Sequence, residues 1–256
     1  DFLLTPLITL LVTGFLTFVV VGPLARELSD GITNGLSWLY TTAGPVGGFL
    51  FGLVYSPIVV TGLHQSFPAV ELPLIAQMSS GGPGSFIFPI ASMANIAQGA
   101  VTLAVFFLTK DSKMKGLAGA GGISAIVGIT EPAIFGVNLR LRWPFFIGMG
   151  VASLGGASVA LLDIHNQALG AAGFVGFVSI VPDDIVKYLI LEVIVFFAAF
   201  GAAFAYGTTR GKASLAGDDV DADEAALEAE AMAEHAETVE LPAEAAEDFT
   251  VTAPIQ

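Results

Sequence analysis

The sequence has no cysteine and few charged residues, and basic residues are scarcer than acidic ones. The lack of cysteine excludes disulfides, thiolate metal sites and a cysteine nucleophile within this chain. Only 12% of the residues are charged, whereas soluble domains carry about 25%. Together with 54% hydrophobic residues over 256 positions, this shortage of charge indicates that lipid is the solvent for most of the chain.

The scarce basic residues are confined to one part of the chain. All nine Lys and Arg residues lie between positions 26 and 212, whereas residues 213–256 hold 13 of the 23 acidic residues and no Lys or Arg. The net charge of −14 therefore belongs to an acidic tail, and no basic surface for nucleic acid is indicated. Neither an initiator Met nor a basic segment precedes the first apolar run. A signal peptide is therefore not indicated, and we expect the chain to be a piece of a longer protein.

Long charge-free runs predict the architecture. A membrane-spanning helix needs about 20 apolar residues, and the runs of that length predict an all-α membrane protein, a polytopic helical bundle. The predicted spans are residues 3–25, 45–62, 85–108, 143–162 and 187–209.

Three further apolar segments do not fit a simple span. Residues 67–78 contain Glu71 and two prolines and are too short to cross, and residues 116–130 are short and rich in glycine. Residues 164–182 are rich in Gly and Ala and are ambiguous. We expect the last two segments to form re-entrant hairpins, because this arrangement places all four basic clusters on the cytoplasmic side.

Composition divides the chain into three regions. Residues 1–212 are the membrane-embedded domain, and residues 213–248, rich in Ala and Glu, are expected to be an acidic linker. Residues 249–256 alternate apolar residues with Thr and are expected to begin the first strand of a further domain. Basic residues at the end of the last span predict a cytoplasmic tail.

Glu131 is the first candidate for chemistry. It lies between Thr130 and Pro132 at the end of a glycine-broken apolar segment. Proline is expected to bias Glu131 away from helical geometry and to free nearby backbone groups. Non-helical backbone at membrane depth persists only inside protein or beside a wet cavity, and a carboxylate there can accept several hydrogen bonds from the hydroxyl groups of a polar substrate. The alternative is a solvated glutamate in an interfacial loop.

His64 and Glu71 are the other candidate substrate-binding residues. His64 follows a Gly-rich span and has polar neighbours, so it is suited to bind substrate or, alternatively, to end a helix. Glu71 lies in a proline-broken stretch and either lines the same cavity or caps a hairpin.

Other polar residues have simpler explanations. Arg140 and Arg142 flank Trp143 as topology anchors would, whereas Asn95 and Gln98 are typical of hydrogen bonds between helices. His165 has no accompanying set of ligands, so neither a metal site nor a cofactor is predicted. Glycines at positions 44, 48 and 52 favour close helix packing.

The run from Gly128 to Arg140, GITEPAIFGVNLR, resembles the signature of enzyme II C domains in the glucose superfamily of the bacterial phosphotransferase system. The stretches 62–67 and 94–99 are similar to its companion motifs. The resemblance covers about residues 2–209, the second half of such a domain, and is greatest to the sucrose branch, followed by the trehalose and β-glucoside permeases.

The resemblance implies a function. A C domain of this family binds a sugar, here a disaccharide, and carries it across the membrane by an elevator-like motion. A phosphocysteine on a B domain then phosphorylates the sugar, after transfer from a phosphohistidine on an A domain and, indirectly, from a phosphocarrier protein.

The resemblance also implies residue roles. Glu131 and His64 match the family's substrate-contacting glutamate and histidine, and Glu131 is also the candidate catalytic residue that takes the proton from the sugar hydroxyl. A homodimer in the lipid bilayer is implied as well. Since the chain contains no cysteine, we expect this piece alone to be unable to phosphorylate sugar, and residues 251–256 resemble the opening of an A domain.

Two other classes compete with this interpretation. A secondary sugar symporter also uses broken helices and a mid-membrane carboxylate, but an ion gradient rather than phosphoenolpyruvate would drive it. A structural membrane scaffold has no use for Glu131 in a broken helix.

Overall fold

The structure is a computed structural model that describes residues 4–82, 84–170, 172–212 and 215, all within one unit, Asp1–Leu215. Its ten α-helices in this part of the chain follow each other with short connections. They are α1 (Leu4–Leu16), α2 (Gly22–Ala43), α3 (Pro45–Thr61), α4 (Phe67–Ala76), α5 (Ile87–Leu108), α6 (Ser112–Ile126), α7 (Glu131–Ala133), α8 (Leu139–Leu141), α9 (Trp143–Leu161) and α10 (Ile185–Thr209). The described residues contain no strand beyond isolated bridges, which confirms the all-α prediction.

Short tighter or wider turns join several of these helices. Thr17–Val21 and Ile134–Asn138 are π-helical. Leu63–Ser66, Gln77–Ser80, Phe174–Ser179 and Pro182–Asp184 are 3₁₀ segments. The π-helical turn after α1 continues directly into α2, so the first helical stretch extends beyond the predicted end at residue 25 to Ala43.

Four helical stretches are long and apolar enough to cross a membrane, namely Thr5–Leu24, Ile87–Leu108, Trp143–Leu161 and Pro182–Thr209. They coincide with four of the five predicted spans, which confirms a polytopic membrane protein. The fifth prediction, residues 45–62, corresponds to α3. A bend of 103° separates α3 from the following helical segment Leu63–Ser80. Together the two form either a broken span or a re-entrant loop.

Helix α5 is the centre of the bundle and packs against α10, α9, α6 and α3. Its polar residues are therefore buried and must find partners inside the protein. Gln98 donates from Nε2 to Ser56 Oγ on α3 (3.1 Å) and to the Phe145 carbonyl on α9 (3.2 Å), and its Oε1 accepts from Asn138 Nδ2 (2.8 Å). Thr102 Oγ1 donates to Asn138 Oδ1 at 2.8 Å. The prediction that Gln98 joins helices is confirmed.

Helices α3 and α9 approach each other at backbone distance. A Cβ on Gly48 would lie 2.3 Å from the Gly156 carbonyl oxygen, and a Cβ on Gly156 would lie 2.2 Å from the Gly48 carbonyl oxygen. Any larger residue would push the two helices apart, because each glycine faces the other's backbone. This pair confirms the predicted packing role of Gly48.

The connection from α9 to α10 is irregular and folds back over the bundle. Asn166 forms isolated bridges with Ser85 and Ile180, and the Ser85 and Asn166 backbones exchange hydrogen bonds of 2.8 and 3.0 Å. This pairing fixes the connection against the start of α5. In the described part of residues 164–182 the helical segments are short 3₁₀ turns, and a re-entrant position in the membrane stays a prediction.

Candidate functional site

A cavity of about 310 Å³ lies where the broken segments meet. Its walls come from the end of α3, the His64 turn with the start of α4, the first turns of α5, residues 128–131 and the connection near Gly170 and Ala172. Each wall contains a helix end or a non-helical stretch, so backbone polar groups as well as side chains are available there.

His64 and Glu131 face each other in this cavity. The His64 Nε2 atom lies 3.4 Å from Glu131 Oε1, and their side chains are 16% and 41% exposed. Although these residues are distant in sequence, the structure thus brings together the two strongest candidates. A carboxylate and an imidazole at this separation can accept from and donate to adjacent hydroxyl groups of a sugar.

The hydrogen-bonding capacity of His64 is not exhausted. Its Nε2 also lies 3.1 Å from Gln65 Nε2, while its Nδ1 is buried without a partner among the described residues. A single nitrogen cannot both accept from the Gln65 amide and donate to Glu131, so only one of these two contacts can be a hydrogen bond in a given tautomer of neutral His64. The unpaired nitrogen and the exposed carboxylate are features of a site that is completed by a polar ligand.

Gly128 shapes the wall that precedes Glu131. Its φ of +108° is accessible mainly to glycine, and a Cβ there would lie 2.1 Å from the Ala172 carbonyl oxygen. Asn95 Nδ2 on α5 donates to the Gly128 carbonyl at 3.4 Å and also lines the cavity. The 128–131 segment is thus held between α5 and the α9–α10 connection.

The expected non-helical geometry of Glu131 is wrong. Glu131 is the first residue of the short helix α7, and the break lies one turn earlier, between α6 and Thr130. Pro132 occupies the second position of the helix, where its missing N–H leaves no intrahelical bond unmade. Proline therefore starts the helix and does not unwind it at Glu131.

Aromatic rings form the apolar side of the cavity. Tyr55 and Phe67 stack with ring centroids 5.8 Å apart and an interplanar angle of 17°, and both line the cavity. Aromatic faces suit the C–H surfaces of a sugar ring, while polar groups opposite them suit its hydroxyls. Tyr55, Phe67 and Thr130 were not predicted as site residues, and Asn95 was predicted only to join helices. An aromatic residue or an amide inside an apolar run carries no signal that distinguishes packing from binding.

Glu71 lies behind the cavity wall. Its side chain is fully buried, and its Oε1 accepts hydrogen bonds from Asn166 Nδ2 (2.8 Å) and the Phe88 amide (3.3 Å). Phe88 lines the cavity, whereas Glu71 is not one of the lining residues. Contact between Glu71 and a substrate stays a prediction.

The remaining candidates lie outside the cavity. Arg140 and Arg142 are exposed. His165 is buried, and its Nδ1 lies 3.1 Å from the Asp163 carbonyl. In the described ranges, no three His, Cys, Asp or Glu residues are grouped as a metal site would require. Apart from Leu215, the predicted linker 213–248 lies outside the described residues, as do His235 and the predicted region 249–256.

Comparison with known proteins adds to this geometry. The family model "Phosphotransferase system, EIIC" matches residues 1–153. The sucrose-specific EIIBCA component of the phosphotransferase system (PTS) of Pediococcus pentosaceus is 49% identical over 221 residues, 86% of this chain and 33% of that protein. The PTS sucrose-specific EIIBC component of Staphylococcus xylosus is 56% identical over 181 residues, 70% of this chain and 38% of that protein.

A trehalose-specific relative is similar as well. The PTS trehalose-specific EIIBC component of Bacillus subtilis (strain 168) is 40% identical over 205 residues, 80% of this chain and 43% of that protein. No solved structure matches the chain, which spans between a third and a half of the length of these relatives. Because the family model matches more than half of its residues, the chain belongs to the EIIC family of the phosphotransferase system.

Proposed function

We propose that this chain is the translocation domain of a PTS sugar permease that binds a disaccharide, sucrose, and carries it across the bacterial cell membrane. The observation that carries the proposal is the meeting of His64 and Glu131, 3.4 Å apart, in one aromatic-walled cavity. Two relatives named as sucrose-specific support the choice of sugar.

In this proposal each part of the cavity has a role. Glu131 and His64 bind sugar hydroxyls, while Tyr55 and Phe67 pack against the sugar ring. Phosphorylation takes place on a hydroxyl near Glu131, whose carboxylate accepts the departing proton. A hydroxyl loses its proton as its oxygen attacks phosphorus, so a carboxylate within hydrogen-bond reach is a suitable base.

The phosphoryl group comes from other domains. The relative named EIIBCA supports a B domain and an A domain as partners, and the B domain supplies the phosphoryl group from a phosphocysteine. The acidic tail then lies in the cytoplasm, where those domains act, and the C domain functions as a homodimer.

Uptake of labelled sucrose tests the proposal. A full-length permease that contains this sequence as its C domain, expressed in cells without other sucrose transporters, is expected to accumulate sucrose phosphate in a phosphoenolpyruvate-dependent manner. Uptake driven by an ion gradient without phosphoenolpyruvate would instead identify a symporter and overturn the proposal.

Competition by unlabelled sugars against the uptake of labelled sucrose identifies the preferred substrate. Trehalose is the second candidate because a trehalose-specific relative is 40% identical, and β-glucosides and maltose complete the panel. Unlabelled sucrose is expected to compete best against labelled sucrose. A better competitor than sucrose itself would overturn the assignment to sucrose and leave the phosphotransferase assignment in place.

A further inference from the structure

Glu71 and Asn166 form a buried side-chain pair next to the cavity. Both residues are fully buried, and Asn166 Nδ2 donates to Glu71 Oε1 at 2.8 Å. The same Oε1 accepts from the Phe88 amide, and the same Nδ2 also donates to the Ala168 carbonyl at 3.0 Å. Glu71 Oε1 thus accepts two hydrogen bonds, and Asn166 Nδ2 donates two.

The second oxygen of the Glu71 carboxyl group and the oxygen of the Asn166 amide have no hydrogen-bond partner in the described part of the chain. Among the described residues, Glu71 Oε2 and Asn166 Oδ1 are buried and make no hydrogen bond. An ionised carboxylate and an amide oxygen are both acceptors, so they cannot satisfy each other. Buried acceptors without a donor are rare in folded proteins because each forfeits its hydrogen bonds to water.

The surroundings of Glu71 contain no compensating positive charge. The ion pairs His64–Glu131, His165–Asp163 and Lys187–Asp184 do not involve Glu71. The side chains that contact the Glu71 carboxyl include the Asn166 amide and the Ser85 hydroxyl, and both are neutral. A buried charge that is not paired is strongly unfavourable.

We propose that Glu71 is a neutral carboxylic acid whose Oε2–H donates to Asn166 Oδ1, closing a cyclic acid–amide pair, and that this pair is a positioning device for the sugar cavity. In this arrangement a single proton satisfies both partnerless oxygens, because it converts one of the two acceptors into a donor. It also removes the buried charge.

The pair joins three walls of the cavity. Glu71 is in α4, directly after the turn that carries His64, and its Oε1 holds the Phe88 amide in the first turn of α5. Asn166 belongs to the α9–α10 connection, whose Gly170 and Ala172 line the cavity. The acid–amide pair therefore fixes the His64 segment relative to the opposite wall, and its effect on transport rests on the function proposed above.

The isosteric substitution Glu71→Gln separates this role from sugar contact. The NH₂ group of the introduced glutamine replaces the acid O–H as donor to Asn166 Oδ1, and its amide oxygen replaces Oε1 as acceptor. Sucrose uptake by Glu71→Gln in the full-length permease is expected to stay within about twofold of the unmutated protein. Glu71→Leu fits the space without the hydrogen bonds and is expected to lose about tenfold or more.

A double variant that exchanges the acid and the amide between positions 71 and 166 tests whether the pair can be restored. Asn166→Asp removes the Nδ2 donor and places two acids side by side, so both uptake and thermal stability are expected to fall. Glu71→Gln combined with Asn166→Asp restores one acid and one amide in the reverse order, and this double variant is expected to recover part of both. Failure of the double variant to exceed Asn166→Asp would overturn the cyclic pair.

Infrared difference spectroscopy of the purified permease at neutral pH detects whether the Glu71 carboxyl group is protonated, and it does not depend on transport activity. Glu192 is also a buried carboxyl without a hydrogen-bond partner among the described residues, so the difference between the two proteins is the readout. The unmutated protein is expected to show one carbonyl stretching band of a protonated carboxyl group that Glu71→Gln lacks. If no such band is lost, the proposal that Glu71 is a neutral acid is overturned.

If the band is lost but Glu71→Gln nearly abolishes sucrose uptake, Glu71 acts on the sugar itself and the positioning role is overturned. An unmutated permease that does not transport sucrose would overturn the proposed function alone, since the band still decides the protonation of Glu71.

Discussion

At the residue scale, we expect sugar binding to depend most on Glu131. We expect Glu131→Gln in the full-length permease nearly to abolish sucrose uptake while membrane insertion is retained. The substitution keeps the shape but removes the charge, and a hydrogen bond to a charged group contributes about 1.5–3 kcal/mol, which corresponds to roughly ten- to a hundredfold. Initial rates of labelled uptake, normalised to the amount of protein in the membrane, measure the effect, and a rate within about twofold of the unmutated protein would contradict the prediction.

Gly128 supports the same site through the backbone. Gly128→Ala must adopt a positive φ, which costs an L-residue roughly 1–2 kcal/mol, and its Cβ would meet the Ala172 carbonyl oxygen at 2.1 Å. The wall between α6 and Glu131 is therefore expected to shift, and sucrose affinity to fall by at least about tenfold.

Gly136→Ala is the matched control for Gly128→Ala. It lies in the same signature, has no positive φ, and a Cβ there has nothing within 4 Å. Sucrose affinity from competition binding is expected to be unchanged in Gly136→Ala. Equal losses in both variants would show that the strain at Gly128 is not the cause.

Part of the site could be predicted from the sequence and part could not. Glu131 and His64 attract attention because a charged or ionisable residue at the end of an apolar segment is unusual. Tyr55 and Phe67 do not, since aromatic residues in apolar runs serve packing in most membrane helices. Glu71 is as unusual as Glu131, but only three-dimensional contacts place its carboxyl behind the cavity wall.

At the element scale, the contact of α3 with α9 is governed by facing glycines. Gly156→Ala would place a Cβ 2.2 Å from the Gly48 carbonyl oxygen, and overpacking of this kind costs about 1–3 kcal/mol. We therefore expect a lower free energy of unfolding for the purified protein, measured by denaturant titration in detergent.

Gly150→Ala provides the comparison for Gly156→Ala on the same helix. A Cβ at Gly150 has nothing within 4 Å, and alanine improves helix propensity by about 1 kcal/mol. Gly150→Ala is expected to be as stable as the unmutated protein or more so. If Gly156→Ala matched it, the backbone contact between α3 and α9 would not limit stability.

The helices themselves could be predicted more readily than the segments between them. Runs such as α5 and α9 contain about 20 uncharged residues with charges or prolines at their ends, and the sequence therefore defines them within a few residues. Helix α2 was missed because it contains Arg26 and has a mixed composition. The α9–α10 connection was also beyond prediction, because its conformation depends on pairing between Asn166 and Ser85, which are remote in sequence.

At the scale of the whole molecule, the chain binds and carries sugar in our proposal but is not expected to phosphorylate it. A phosphoryl group needs a covalent donor, and the chain contains no cysteine and three histidines. His64 faces the Glu131 carboxylate and His165 is buried, so neither suits a phosphate group, and His235 lies in the acidic tail, which repels a phosphorylated partner.

An assay of phosphate transfer to labelled sugar in liposomes tests whether the chain alone can phosphorylate sugar. The chain alone, supplied with phosphoenolpyruvate and the general phosphocarriers, is expected to form no sugar phosphate. A complete C domain supplied with a separate B domain and an A function is expected to do so. Sugar phosphate formed without any B domain would place the phosphoryl donor within this chain.

The glycine contact between α3 and α9 also sets a minimum time for assembly. Gly156 leaves the ribosome about a hundred residues after Gly48, and translation proceeds at about 5–20 residues per second. The surface of α3 around Gly48 therefore lacks its α9 partner for about 5–20 s. An unpaired surface of this kind can pair with the wrong helix, so we expect the speed of translation between α3 and α9 to affect the yield of folded protein.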